Sequence, residues 1–150
     1  MEESLTGRIA TDIKAAMRSG DKRRLGVLRL VSAAIKQHQV DQRTELDEAG
    51  ALALVTRMVK QRNESIEQYR AAGRDDLAAQ EEYELGVLRE YLPEPLSDAE
   101  LEACIDAAIQ ETGATGMRDM GRAMGVLKPR IEGRADPGDA SARLKRRLQG

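Results

Sequence analysis

Leu92-Pro93-Glu94-Pro95-Leu96-Ser97-Asp98-Ala99-Glu100 is the stretch of sequence that decides how this chain is organised. The two prolines cannot continue a helix, because each lacks a backbone N–H and restricts the residue before it. The sequence therefore predicts a stiff, Pro-rich linker over residues 93–96. Ser97 and Glu100 follow the linker at the spacing of a capping box, which marks the start of a new helix. We expect one helical region before the linker and another after it.

Four helices are predicted before the linker, because apolar residues recur there at helical spacing. Ser4, Asp21 and Asp47 directly precede three of these segments and are of the residue types that cap helix N-termini. The first helix is expected to bury an apolar stripe that runs from Leu5 to Met17. The second is expected to fade near residue 40, where a polar run predicts a loop.

Three shorter helices are predicted after the linker. The capping box opens the first of them, which should reach Thr112. The next is expected to start near Gly116 and to be bent or ended early by Pro129, which has no N–H to donate. The last begins with Asp136 as N-cap and Pro137 at the first helical position. Its expected core residues are Ala140, Leu144 and Leu148.

The predicted fold class is therefore all-α. An N-terminal four-helix bundle is expected over residues 1–92, followed by a small C-terminal three-helix bundle over residues 97–150. Composition agrees, since the chain contains no Trp or Phe and only three Tyr. A core built from Leu, Ile, Val, Met and Ala suits helices better than a β-sandwich or barrel.

Composition also bears on the compartment. A single cysteine, Cys104, excludes an internal disulfide and fits a reducing environment. No long apolar run follows the acidic N-terminus Met1-Glu2-Glu3-Ser4, so neither a signal peptide nor a membrane span is predicted. We expect a cytoplasmic protein with no membrane partner.

Residue types that carry catalysis or metal binding are scarce in this chain. His38 is the only histidine and Cys104 the only cysteine, which is too few for a zinc site or for a nucleophile with its base. No glycine-rich phosphate loop is present. We therefore expect no catalytic residue, no cofactor and no bound metal.

Glu81, Glu82 and Glu84 form the densest group of carboxylates. Glu81 and Glu84 share a helix face with leucines, so partial burial is expected and a partner is needed. An ion pair with Arg62 or Arg74, or a plain solvated face, is favoured over a site for a hard divalent metal.

The formal net charge of −2 hides two positive blocks with a negative block between them. Residues 1–74 carry a net +4, residues 75–111 a net −11 and residues 116–150 a net +5. A basic helical segment beside an acidic one is typical of a part that docks on a polyanion. The candidate contacts lie near the C-terminus: Arg130, Arg134, Arg143, Lys145, Arg146 and Arg147.

Two interpretations of these cations stay open on composition alone. Phosphate groups need only mobile cations and backbone N–H donors, and the absence of a nearby aromatic residue argues against reading of single-stranded bases. Alternatively, Lys and Arg at a C-terminal helix complement the helix dipole and solvate the surface.

The chain resembles the YqeY-like proteins of the GatB/YqeY family over nearly its whole length. The ordered set of matching segments is Leu28–Lys36, Lys60–Ile66, Gly73–Leu77, Glu81, Glu84, Tyr91–Pro93, Asp119–Gly121, Met124-Gly125 and Gly133–Asp136. The resemblance implies a two-part, all-helical fold similar to the tail of the B subunit of the glutamine-dependent aspartyl/glutamyl-tRNA amidotransferase. It also implies a link to a carbon–nitrogen ligase with glutamine as amide donor, although no family catalytic residue can be carried over to this tail.

Three hypotheses for function follow. The first is an accessory module without turnover of its own that binds the tRNA backbone and can also contact a protein partner in translation. If all six cations contact phosphates, the affinity for tRNA should fall roughly a thousandfold between about 50 and 200 mM salt. The second is a protein–protein interaction adaptor that does not bind nucleic acid. The third is an enzyme built around Glu81 and Glu84, which requires a divalent ion or a pocket between them.

Overall fold

The computed structural model describes residues 3–150, so that Met1 and Glu2 of the predicted acidic N-terminus lie outside the described residues. Residues 3–150 form helices and connecting turns and contain no strand, which confirms the all-α prediction. The α-helices of this part of the chain are α1 (Leu5–Ser19), α2 (Lys22–Gln42), α3 (Glu48–Ala71), α4 (Asp75–Arg89), α5 (Asp98–Thr112), α6 (Met120–Ile131) and α7 (Pro137–Gln149). A single 3₁₀ turn, Met117–Asp119, precedes α6.

The chain divides into two compact units, residues 1–92 and residues 93–150. Helices α1 to α4 belong to the first unit, in which α3 packs most extensively against α4 and α1 against α2. Helices α5 to α7 belong to the second, in which α6 contacts both α5 and α7. Each unit has an apolar core of its own.

The core of the first unit is aliphatic, as the composition requires. Leu28, Val31, Val55 and Leu88 are almost fully buried in it, and they come from α2, α3 and α4. The predicted stripe on α1 is correct at its start but wrong at Met17, which is 56% exposed. Each step of four residues rotates the stripe by about 40°, so Met17 has moved off the face that still buries Ala16 in the same turn.

The core of the second unit is built from the inward faces of three helices. Ile105 of α5, Leu127 and Ile131 of α6 and Leu144 of α7 are completely buried. Burial of such side chains supplies roughly 1.5–3 kcal/mol each relative to exposure. The unit is therefore held together by apolar contacts, and its polar residues are left on the outside.

The helix starts follow the predicted caps except at α6, which was expected near Gly116 and begins at Met120 after the 3₁₀ turn. Ser97 and Glu100 form the complete capping box at α5, with the side chain of each accepting from the backbone N–H of the other. Asp136 caps α7 and Pro137 stands in its first turn. These signals are local in sequence, because a cap and the N–H group that it satisfies lie within three residues.

Two helix ends differ from the prediction. The second helix continues to Gln42 and ends at Arg43, a non-glycine residue in the left-handed conformation with φ 54°. The sixth helix is not ended early by Pro129, since it runs on to Ile131. The buried side chains of Leu127 and Ile131 lie on either side of this proline and keep the last turn helical.

Within residues 3–150, no helix is both long enough and apolar enough to cross a membrane.

Candidate nucleic-acid interface

The six predicted cations all lie in the second unit. Arg130 stands in the last turn of α6, Arg134 in the turn that follows, and the other four on α7. Helix α7 buries Ala140, Leu144 and Leu148, as predicted, so its cations are distributed over the remaining faces. Their surroundings decide which of them are available to a phosphate group.

Arg143 is surrounded by carboxylates. Its guanidinium donates to Glu102 of α5 at 3.1 Å, to Asp98 at the start of α5 at 2.9 Å and to Asp139 of its own helix at 3.2 Å. The hydrogen bond to Glu102, followed by those to Asp139 and Asp98, raises the pKa of Arg143 above its ordinary value. Charge-assisted hydrogen bonds of this kind tie α7 to α5.

Arg147 repeats the arrangement one turn further along α7. It donates to Glu102 at 3.3 Å and forms an ion pair with Asp106 of α5. The hydrogen bond to Asp106 raises the pKa of Arg147. Because Glu102 and Asp106 are four residues apart, as are Arg143 and Arg147, the two helices are linked by a ladder of ion pairs.

Arg130 and Arg134 also have partners within the second unit. Arg130 forms an ion pair with Glu111 near the end of α5. The Nε of Arg134 donates to the backbone carbonyl of Glu94 at 2.9 Å, and the N–H of Leu96 donates to the carbonyl of Arg134 at 2.8 Å. The side chain and the backbone carbonyl of Arg134 therefore both attach the proline-containing segment 93–96 to the turn between α6 and α7.

Lys145 and Arg146 differ from the other four cations. Both side chains are exposed, and neither has a carboxylate partner in the part of the chain that the structure describes. In the sequence they follow the buried Leu144 and stand between Arg143 and Arg147, the two arginines that face α5. We call Lys145 and Arg146 the α7 pair.

The carboxylates of α4 hold an arginine. The Nε of Arg62, on α3, donates to Glu84 Oε2 at 2.8 Å and lies 3.2 Å from Glu81 Oε2, which it does not meet in hydrogen-bonding geometry. Burial raises the pKa of the Glu81 carboxyl, and the nearby Glu84 raises it further, while Arg62 acts in the opposite direction. Arg74, the other predicted partner, pairs with Asp76 instead.

This cluster supplies one cation to two carboxylates that are only partly exposed. The guanidinium thus occupies the position that a divalent ion would need between them. Across residues 3–150, no group of three or more His, Cys, Asp or Glu residues is arranged to hold a metal ion.

A second polar cluster in the first unit was not predicted from the sequence. The hydroxyl of Tyr91 donates to Asp12 of α1, and Arg24 of α2 pairs with Glu90 at 2.6 Å. Arg8 lies over the Tyr91 ring at 5.1 Å from its centroid. Tyr91 and Asp12 are 79 residues apart, and no local pattern connects them. The only sequence feature that pointed to Tyr91 is its place in the segment Tyr91–Pro93, which matches the YqeY-like pattern.

These observations first define the class of protein. The described residues form two all-α units, with a ladder of ion pairs between α5 and α7 and an exposed pair of cations on α7. The sequence profile described as "Yqey-like protein" matches residues 6–148. The chain therefore belongs to the YqeY-like family.

Three curated relatives share the name "Altered inheritance of mitochondria protein 41, mitochondrial". The protein from Pyrenophora tritici-repentis is 29% identical over 136 residues, which cover 89% of this chain and 75% of the relative. The one from Candida glabrata is 35% identical over 65% of this chain and 55% of the relative, and the one from Eremothecium gossypii is 34% identical over 69% and 58%. The chain thus spans three quarters of the first relative and little more than half of the other two.

The prediction of a cytoplasmic location is wrong in the light of these relatives, all three of which are named as mitochondrial proteins. The reason lies in what the sequence can report. One cysteine and the lack of an apolar run bear on redox chemistry and on membrane insertion, and a reducing interior is not unique to the cytoplasm.

Proposed function

We propose that this chain is an accessory module that binds tRNA through its second unit and has no catalytic centre of its own. The observation that carries the proposal is the α7 pair, Lys145 and Arg146. In this proposal α1 to α4 form a four-helix bundle and α5 to α7 a three-helix bundle, which holds the pair on a rigid helix.

Phosphate recognition fits this pair because it needs cations that are not already neutralised. An exposed lysine and an exposed arginine in adjacent positions can contact neighbouring phosphates of an RNA backbone. Contacts of this kind position a protein on RNA without reading its bases. The preference for tRNA then comes from shape, as for other proteins that bind folded RNA through backbone contacts.

The remaining predicted cations have a supporting role in this proposal. Arg143 and Arg147 are held by the acids of α5, so they fix the orientation of α7 and contribute little free positive charge. Arg130 and Arg134 add contacts only where RNA displaces Glu111 or the Glu94 carbonyl from them. The affinity for tRNA is therefore expected to be lower than it would be if all six cations were free to contact phosphates.

The wider role that we propose is association with tRNA-dependent amidotransfer. Resemblance to the tail of the amidotransferase B subunit supports this role, because that tail belongs to the part of the enzyme that engages tRNA. The carbon–nitrogen ligase chemistry, with glutamine as amide donor, would be carried out by a partner in translation. The module would present or retain the tRNA.

The test is a filter-binding titration of purified tRNA with the full chain at low salt. Replacement of the α7 pair in Lys145→Ala/Arg146→Ala should weaken binding by about tenfold or more, since two phosphate contacts are lost. The matched control is Arg57→Ala/Lys60→Ala, which removes two exposed cations of α3 that have no carboxylate partner among residues 3–150. Equal loss in both variants, or no tRNA binding by the unaltered chain, would refute the proposal and favour an adaptor that does not bind nucleic acid.

A further inference from the structure

The solvent face of α2 carries cations at a regular seven-residue interval. Lys22, Arg29 and Lys36 lie on the helix and Arg43 directly after it, and all four are exposed. Seven residues advance a helix by about 10.5 Å and rotate it only about 20° away from two full turns. The three helical cations therefore form one nearly straight row, about 21 Å long, on one side of the helix, and Arg43 follows at its C-terminal end.

Small and apolar residues alternate with the cations in the same row. Gly26, Ala33 and Val40 each follow a cation by four residues and precede the next by three, and all three are exposed. Val40 is 70% exposed, and Leu30 beside the row is 49% exposed. We call the seven residues of this row the α2 stripe: Lys22, Gly26, Arg29, Ala33, Lys36, Val40 and Arg43.

The α2 stripe points away from the core of its unit. The buried residues Val27, Leu28, Val31 and Ile35 occupy the opposite face of α2. None of the four cations has a carboxylate partner within the described residues, whereas Arg24 on the other side of the helix pairs with Glu90. The only acid within α2, Asp41, accepts a hydrogen bond from Gln37.

An alternation of three and four residues is the spacing at which one helix packs along another. Gly26 and Ala33 keep the surface low between the cations, and a Cβ atom added at Gly26 would meet nothing within 4 Å. A backbone can therefore approach closely at these two positions. The cations at every seventh residue then stand where acidic residues of a facing helix can reach them.

We propose that the α2 stripe docks an acidic amphipathic α-helix of a partner protein. Its acids would pair with the four cations, and its apolar residues would cover Val40 and Leu30. A nucleic acid fits the same surface less well, because phosphate contacts do not need a 3–4 alternation and would leave exposed apolar side chains uncovered. This inference concerns a different surface and a different ligand class from the proposed tRNA function.

The probe is a synthetic 21-residue helical peptide with Glu at every seventh position and Leu four residues after each Glu. The control peptide has the same length and composition, but its three Glu residues stand five positions apart. Fluorescence anisotropy with the full chain should show about tenfold tighter binding of the heptad peptide than of the control peptide, because only the first can align its acids with the row. The charge reversal Arg29→Glu/Lys36→Glu should weaken binding of the heptad peptide by about tenfold or more. Arg57→Glu/Lys60→Glu, with the same change in net charge on α3, should change it by less than about threefold.

A second variant separates close packing from simple charge attraction. Gly26→Lys/Ala33→Lys adds two cations to the α2 stripe and fills its low positions. Close helix packing predicts that this variant binds the heptad peptide more weakly, whereas attraction of any polyanion predicts tighter binding. The proposal is overturned if the variant binds more tightly, if the two peptides bind equally, if the heptad peptide does not bind, or if tRNA competes for the stripe and loses affinity in Arg29→Glu/Lys36→Glu.

Discussion

The guanidinium of Arg143 on α7 donates to the carboxylate of Glu102 on α5 at 3.1 Å. Glu102 also accepts from Arg147, so one carboxylate serves two cations that the sequence alone suggests for RNA. The structure thus separates the basic residues of α7 into a pair that faces α5 and a pair that faces solvent. This division has a direct consequence for how binding to a polyanion depends on salt.

The salt dependence of tRNA binding counts the cations that contact phosphates. Two contacts by the α7 pair predict a loss of about tenfold between about 50 and 200 mM salt, whereas six contacts predict about a thousandfold loss. Arg143→Ala/Arg147→Ala should leave the slope unchanged, provided that circular dichroism shows an intact helical content. A thousandfold loss, or a slope that falls in this variant, would show that the arginines leave their acids to bind RNA.

Burial of Glu81 beside Glu84 makes stability depend on pH. The pKa of the Glu81 carboxyl is raised in the folded state, so its ionised form opposes folding in full above that pKa. As the pH falls from 7 through the folded pKa towards the unfolded value of about 4.3, this opposition is relieved. We therefore expect the unaltered chain to gain stability relative to Glu81→Gln over this range.

Urea unfolding followed by circular dichroism at several pH values measures this difference. Glu84→Gln is the matched control, because it removes the carboxylate that accepts from Arg62 at 2.8 Å. It should lower the free energy of unfolding at pH 7 by about 1–2 kcal/mol. A constant difference between the unaltered chain and Glu81→Gln from pH 7 to 4.5 would contradict the role given to Glu81.

The hydroxyl of Tyr91 links the end of the first unit to α1 through Asp12. Tyr91→Phe should lower the free energy of unfolding by about 1–2 kcal/mol at pH 7, since a hydrogen bond to a charged group is lost. Burial, and then the hydrogen bond to Asp12, raises the pKa of Tyr91. The stability that the phenol contributes is therefore present below about pH 10 and is lost as the pH rises beyond the unfolded value.

Thermal or urea unfolding at pH 8 and above pH 10 tests this prediction. Tyr69→Phe is the control, because the hydroxyl of Tyr69 makes no side-chain hydrogen bond among the described residues. If Tyr91→Phe destabilises the chain no more than the control, the bond to Asp12 contributes nothing.

Leu144 is completely buried at the centre of the second unit. Leu144→Ala should lower the free energy of unfolding of that unit by about 2–5 kcal/mol, the usual result of truncating a core leucine. A unit of this size has little stability in reserve. The variant should therefore lose tRNA binding at 37 °C and keep binding of the heptad peptide, as measured by the two assays above. Retention of full tRNA affinity with an unfolded second unit would place the RNA contact elsewhere.

Helix starts and core faces could be predicted because their signals are local. Ser97 and Glu100 satisfy each other within one turn, and Leu144 and Leu148 repeat at the helical period. Pro129 shows the limit of local rules. The burial of its neighbours Leu127 and Ile131 outweighs the hydrogen bond that it lacks.

The candidate site could be predicted only in part. The sequence locates the basic residues of α7, but the carboxylates that hold Arg143 on α5 lie 41 and 45 residues away. No pattern within one helix reveals such a partner. The α2 stripe could have been recognised, because its seven-residue interval is visible in the sequence. The net charge of residues 1–74 conceals it, since the acids of that block offset the cations of the stripe.

The most direct test measures tRNA affinity in two charge-matched variants of the full chain at the same low salt. Lys145→Ala/Arg146→Ala removes the α7 pair, and Arg29→Ala/Lys36→Ala removes two cations of the α2 stripe. We predict that the first variant loses about tenfold or more in affinity for tRNA and that the second stays within about threefold of the unaltered chain. The reverse order, with the larger loss in the α2 variant, would contradict the assignment of the RNA contact to α7.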